Sequence, residues 1–519
     1  MKRRFGARNG VFASASCLSL TGTASPKSWY VLPISFPLGP FLSPEVPVQD
    51  MSSSPVSRIE TSAAAIAQPI AGFATADVPL ATEQSEILPQ PVTQRERIPT
   101  IDIVRGMALL GILVMNIGAF SGPFEMYINP LAVGNHRTYN LAAWTIRWIF
   151  FEGKMRAAFS MLFGAGVILL TERAERRGSR NVADIFTRRN MWLVLFGVLH
   201  FYFIWYGDIL YAYGLTALLF LYPCRKLRAR NLLIAGTAML LIGVATDVFF
   251  SIDDVRDRYQ GQAAQALASQ GKKLTQQQQD ALKKWNETLD RRKKNREDDL
   301  KAMRGTYSEQ IKWRAKWGPR IQAKYYYQFG FTDALAMMLI GMGLYRMGFL
   351  TGEMSFKVYG WVIAAGYLLS IPINGIEAMG LIRANFEPTP WWVLYQFGRV
   401  TGAVANIAVI VAIAKAGSMG WLTRRLGAVG QMALSNYLFT SIICSLLFNG
   451  FGLGLYGKLE YYQLFAVVVC VWIANLTVSP IWLRHFQFGP VEWAWRSLTY
   501  WKRQPMKRDV ADERMLLAQ

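Results

Sequence analysis

His200 lies inside MWLVLFGVLHFYFIWYGDILYAYG, an apolar stretch whose next ionisable acid is Asp208. Imidazole is the side chain whose unperturbed pKa sits near neutrality, and a carboxylate beside it can orient the ring or relay its proton. The pair is the candidate for general base chemistry, with hydrogen-bonded packing of a lone intramembrane histidine as the alternative. The turn at Asp208 is short, so its flanking helices should be antiparallel neighbours. Asp208 then falls near one surface, with His200 about two turns below it.

Other polar residues also occupy apolar runs. FEGKMRAAFSMLFGAG carries Glu152, Lys154 and Arg156, with Glu152 and Arg156 spaced to pair along a helix. They read as substrate-holding groups or as a structural ion network. TIDIVRGMALLGILVMNIGAF sets Asp102 and Arg105 three apart on one face, with Asn116 further along. Asp333 opens the sixth run, Arg399 lies inside the eighth, and Ser435, Asn436 and Ser441 lie inside the ninth. Arg399 cannot lose its proton, so it requires an anion, a carbonyl cage or water. Each charge inside a span costs roughly 2.5–3.5 kcal/mol, and a shared polar cavity is the economical explanation. Gly106, Gly111, Ser160, Gly164, Ala165 and Gly166 read as close helix packing.

Some chemistries are disfavoured. There are three histidines (His136, His200, His485), and the four cysteines have no metal-ligand spacing. No phosphate-binding loop, zincin, nucleophile-elbow or dinucleotide motif is present. No metal site and no permanently bound cofactor is expected.

These residues are positioned by membrane helices. Hydrophobic residues make up 52% of the 519, and charged residues 17%, where a soluble domain carries about 25%. Apolar runs near 101–120, 148–170, 191–206, 209–223, 231–250, 331–349, 356–375, 391–414, 429–449 and 461–483 predict an all-α, polytopic transmembrane bundle of about ten spans. The net charge of +22 is concentrated in gaps between runs, which argues for orientation in a bilayer and against nucleic-acid binding. ERAERRGSR with Arg188 and Arg189, Arg225–Arg230, Arg424–Arg425 and the stretch from Arg484 to Arg508 fall on one side if spans alternate. That side is cytoplasmic by the positive-inside rule, and both ends of the core lie there.

Five regions follow: a leader at 1–95, core spans at 96–250, a charged insert at 251–325, core spans at 326–484 and a basic tail at 485–519. The leader is rich in Pro, Ser, Ala and Thr and reads as a disordered tail or a start placed too early, with Met51 as the alternative start. MKRRFGARNGVFASASCLSL also mimics a signal peptide, but cleavage there would conflict with the loop charges. In the insert, Leu282, Trp285 and Leu289 share a helical face, which predicts a hairpin over the outer mouth. A solvated spacer is the alternative.

TIDIVRGMALLGILVMNI, FSMLFGAG, HFYFIWYGDILYAYG, LAMMLIGMGLYRMGFL, GQMALSNYLFTSIICSLLF and SPIWLRHFQFGPVEWAWRSLTYWKR together resemble the YeiB family, in order, across roughly residues 95–505. The resemblance implies a multi-pass bacterial inner-membrane protein. It matches Asp102, Arg105, Gly106, His200, Gly207, Asp208, Asn436, Gly489, Pro490 and Glu492 to family motifs. That family is remotely similar to the membrane acyltransferases that include heparan glucosaminide acetyltransferases. Those enzymes pass an acyl group from a cytoplasmic thioester to an acceptor with a histidine, placed after the first span, where this chain has His136. The implied function is acyl transfer from an acyl-CoA co-substrate to a glycan, lipid or small polar acceptor. His200 would be the base, Asp208 its orienter, and Arg105 an attractor of the acyl-CoA phosphates. Transport of a small polar or anionic solute is the other reading, with the buried charges lining a pathway.

Overall fold

Where lipid replaces water, every backbone N–H and C=O must be satisfied within the segment, so long apolar runs fold as helices. A computed structural model describes residues 97–508 apart from Arg180. The expected leader, with Cys17 and Met51, lies outside the described residues. Among the described residues the chain is helical, and its extended pairing is limited to an isolated antiparallel bridge, Phe486–Lys507.

The helices are α1 (Pro99–Ser121), α2 (Arg137–Phe150), α3 (Lys154–Arg176), α4 (Val182–Phe203) and α5 (Leu210–Cys224). Then come α6 (Ala229–Ser269), α7 (Gln276–Arg304), α8 (Tyr307–Pro319), α9 (Phe331–Arg346) and α10 (Phe356–Arg383). The last are α11 (Tyr395–Lys415), α12 (Gly420–Gln431), α13 (Ala433–Phe448), α14 (Leu464–His485) and α15 (Pro490–Tyr500). Six helical stretches are long and apolar enough to cross a membrane, and the α12–α13 pair, bent by 85°, makes a seventh. Helix α9 has only 16 residues, and α5 is a shorter apolar helix.

Two segments differ from the sequence expectation. The run from 148 is broken at Gly153, whose φ of +67° ends α2 and starts α3 anew. The run at 429–449 bends at Met432. At that bend Glu492, on α15, accepts the freed backbone N–H groups of Leu434 (2.6 Å) and Ser435 (3.0 Å). The Asn436 amide donates to the Val429 carbonyl (3.1 Å) and to Ser479 (2.9 Å). An anion at a helix N-terminus is favoured by the dipole, so Glu492 stabilises the broken span. A Cβ on Gly489 would stand 2.2 Å from that carboxylate, so a larger residue there would push the Glu492 side chain from its place.

Helix α1 runs through the core, with Val104, Ala108 and Ile117 fully buried. It approaches α12 backbone to backbone: a Cβ on Gly106 would lie 2.0 Å from the Leu426 carbonyl oxygen, and one on Gly430 1.9 Å from that of Asp102. Gly164 and Gly341 allow the same approach between α3 and α9. Gly166, expected on a packing face, instead meets open space.

The insert is a helical hairpin. Helix α6 continues unbroken for 41 residues, and α7 returns along it with Trp285 seated against Gly261. Leu289 turns outward. Capping boxes at Thr275–Gln278 and Thr306–Glu309 start α7 and α8. The hairpin sits at the end of the bundle where α1 ends. Arg304 donates to the Tyr456 carbonyl (2.9 Å), Arg314 to that of Tyr202 (3.0 Å), and Arg296 faces Glu125 (3.6 Å).

Candidate functional site

Beyond Phe203 the chain leaves the helix and doubles back through Ile204–Ile209 before α5 begins. Asp208 thereby caps α5 through the Tyr211 N–H (2.8 Å) and reaches back to the previous helix. Its other oxygen lies 2.9 Å from His200 Nδ1, and both side chains are essentially fully buried. Asp208 is therefore beside His200, not about two turns away. A carboxylate on Nδ1 fixes the tautomer and leaves Nε2 as the basic nitrogen. Nε2 is buried and has no hydrogen-bond partner. The Tyr437 ring stands 5.0 Å from the imidazole, and Trp205 6.4 Å.

A second cluster is built around the α2–α3 break. Glu152 takes Arg147 (2.5 Å), the Tyr127 hydroxyl (2.8 Å) and the Tyr395 hydroxyl (3.2 Å). The expected Glu152–Arg156 pair does not form, because the left-handed turn at Gly153 removes Glu152 from the helix that carries Arg156. Lys154 points inward and donates to the carbonyls of Trp148 (3.2 Å) and Glu152 (3.3 Å) and to Asn374 (3.1 Å). Glu377, fully buried on α10, accepts from the Trp148 indole (3.2 Å), and its second oxygen has no partner.

The third cluster adjoins it. Asp333 lies between Arg399, with which it makes a close ion pair, and Arg156 at 3.5 Å. Arg399 also donates to Gln396 (2.6 Å), which in turn holds Asp247 of α6 (2.8 Å). Arg399 is fully buried, yet its Nε and Nη1 are unpartnered, as is the Nε of Arg156. The Arg156 side chain retains 34% exposure although it sits among packed helices. Buried guanidinium donors without acceptors, beside a partly accessible guanidinium, leave hydrogen-bonding capacity that water or an anionic group would satisfy.

At the opposite end, Asp102 bridges Arg105 (2.7 Å) and Arg97 (3.1 Å). Asn116 is half-buried on α1, and no hydrogen bond ties it to the clusters. Asn436 serves the bend described above. His136 lies in a loop, 3.1 Å from Glu460 and more than half exposed. Burial alone would raise the Glu460 carboxyl, but the Asn135 N–H, the Asn140 amide and His136 outweigh it and hold it at about 2.

Arg147, Asn374, Glu377, Tyr127 and Tyr395 belong to the site without having been read from the sequence. Among the described residues no group of His, Cys, Asp and Glu has the arrangement of a metal site.

A family model described as a protein of unknown function, DUF418, matches residues 344–502. The chain is 30% identical over 431 residues to the uncharacterised protein YxaH of Bacillus subtilis, covering 81% of this chain and 98% of that protein. It is 31% identical over 417 residues to the uncharacterised protein YeiB of Escherichia coli, covering 78% and 96%. No solved structure matches.

Proposed function

Because this chain belongs to the YeiB family of DUF418 proteins, we propose that it is an inner-membrane acyltransferase using His200 as its base. The core crosses the bilayer about ten times with both ends in the cytoplasm. The carrying observation is the His200–Asp208 contact at 2.9 Å with Nε2 left free. This is a base held by its orienter, the arrangement that activates a hydroxyl.

The chemistry balances without a metal or redox partner. Nε2 takes the proton of an acceptor hydroxyl as its oxygen attacks the thioester carbonyl. The carbon–sulfur bond breaks, and the leaving thiolate takes the proton back from the imidazolium. Asp208 keeps Nδ1–H in place and stabilises the cation. The acyl-CoA phosphates meet Arg97 and Arg105, whose shared Asp102 leaves the pair a net positive charge. The acceptor, a glycan, lipid or small polar molecule, is held by Lys154, Arg156 and Arg399.

The unpartnered N–H groups of Arg399 and Arg156 around Asp333 favour a second reading, passage of a small anionic solute. Purified protein given radiolabelled acetyl-CoA separates the two. Label passed to an acceptor and abolished in His200→Ala supports the enzyme. Uptake by proteoliposomes without label transfer supports the transporter and removes the acyl-transfer reading.

A further inference from the structure

We propose that the groove between α6 and α10 binds one anionic phospholipid, its phosphate held by Arg258 and Arg383. The groove encloses about 550 Å³, and its lining includes Arg258, Tyr259, Pro372, Met379, Arg383 and Trp391, with no acidic side chain. That volume lies within the range of small-ligand sites.

Arg258 is only 7% exposed, yet its donors meet the Pro388 carbonyl (2.6 Å) and Gln262 (3.2 Å), neither of which carries charge. Asp257 is paired with Lys284, Glu387 with Arg292, and Glu377 turns inward to Trp148, while Asp254, one turn before Arg258 on α6, makes no ion pair with it. Arg383 is exposed and has no ion pair. A buried guanidinium with no anion is costly, and the exposed Arg383 lining the same groove adds a second cation for an arriving anion.

Position and surroundings select a lipid. Arg258 stands about 44 Å from the start of α6, and Arg383 about 40 Å from the start of α10, at 1.5 Å per residue. A bilayer is roughly 40–45 Å thick with its headgroups, so both arginines lie at one headgroup level. Trp391, 47% exposed, sits where interfacial aromatics gather. Below the arginines α10 turns Leu368, Ile376 and Met379 outward, a continuous apolar track for acyl chains. A Cβ at Gly375 would meet nothing within 4 Å, so the wall is open there. The loop that supplies the Pro388 carbonyl is set by left-handed Asn385 and Phe386, with Phe386 packed edge-on to Trp144. The inference depends on neither reading of the catalytic or transport site.

The test is native mass spectrometry of the full chain released from nanodiscs containing equal phosphatidylglycerol and phosphatidylcholine. The wild type should retain one phosphatidylglycerol with a preference of about tenfold. Arg383→Gln removes a side chain with no internal bond, and Gly375→Leu fills the groove without touching either arginine. Both should fold, and each should lower retention several-fold, while Arg291→Gln on the insert leaves it unchanged. Equal retention of the two lipids, or unchanged retention in both groove variants, overturns the proposal. So does thermal stabilisation of the lipid-free, detergent-solubilised protein by inorganic phosphate that is lost in Arg383→Gln, since the ligand would then be a soluble phosphate.

Discussion

His200 has one nitrogen to spare, and Asp208 decides which. Asp208→Asn keeps an oxygen for the Tyr211 N–H, so α5 remains capped while the imidazole loses its anion. Label transfer should fall by about 10²–10⁴-fold with little change in melting temperature, and an unaltered rate would remove Asp208 from the mechanism. Glu152 is different in kind, because its loss strands Arg147 in a fully buried position. Glu152→Ala should cost about 3–5 kcal/mol, read as a lowered midpoint in detergent melts. His200 and Asp208 were legible because a charge in an apolar run stands out. Glu377 was not, since α10 runs two turns past the apolar stretch that defines it in the sequence, to Arg383. An acid among apolar neighbours at helical spacing, as in INGIEAMGL, is the signal that would have found it. Arg147 falls just before the apolar run that begins near 148, where a basic residue does not stand out.

Among the elements, the closest contacts are those that glycine permits. Gly430→Ala drives a methyl into the Asp102 carbonyl and should destabilise by about 1–3 kcal/mol, whereas Gly166→Ala should be neutral or slightly stabilising in the same melts. The bend at Met432 escaped the sequence reading because hydropathy is continuous across it. Its cause lies 60 residues onward, at Glu492. The docking of the insert carries a pH dependence. Burial pushes the Asp299 carboxyl up from 3.8 to about 6, so the folded form holds its proton more tightly than the unfolded form. The penalty is absent below about pH 4, grows between about 4 and 6, and is complete above. Hydrogen exchange in α7 and α8 should quicken from pH 4 to pH 7 beyond the intrinsic rate, and Asp299→Asn should abolish that excess.

At the scale of the whole molecule, all ten apolar runs are helical and their order is as the sequence indicates. Segment ends, the α2–α3 break and the depth of each charge depended on tertiary contacts that periodicity does not carry. The end bearing Arg97, Arg105 and the Arg225–Glu175 and Arg346–Glu172 pairs is the cytoplasmic candidate. In a cysteine-free background, Ser269→Cys should react with impermeant maleimide on intact spheroplasts, and Ser418→Cys only after lysis. The reverse pattern would invert the topology.

Like the continuous helical run from α8 through Arg320–Gly330 into α9, helix α6 belongs to both the membrane core and the insert. Its 41 residues make a lever about 60 Å long. It bears on α9 through Gly236 and Gly243, the latter against Thr332, next to Asp333. Asp247, near its middle, is tied through Gln396 to Arg399. A swing of about 5° about the Ala229 end moves the far tip by about 5 Å and Asp247 by about 2 Å, on the length scale set by the helical rise. The hairpin is thus a handle, and a force applied to it is passed along α6 to the charge network that Asp247 joins.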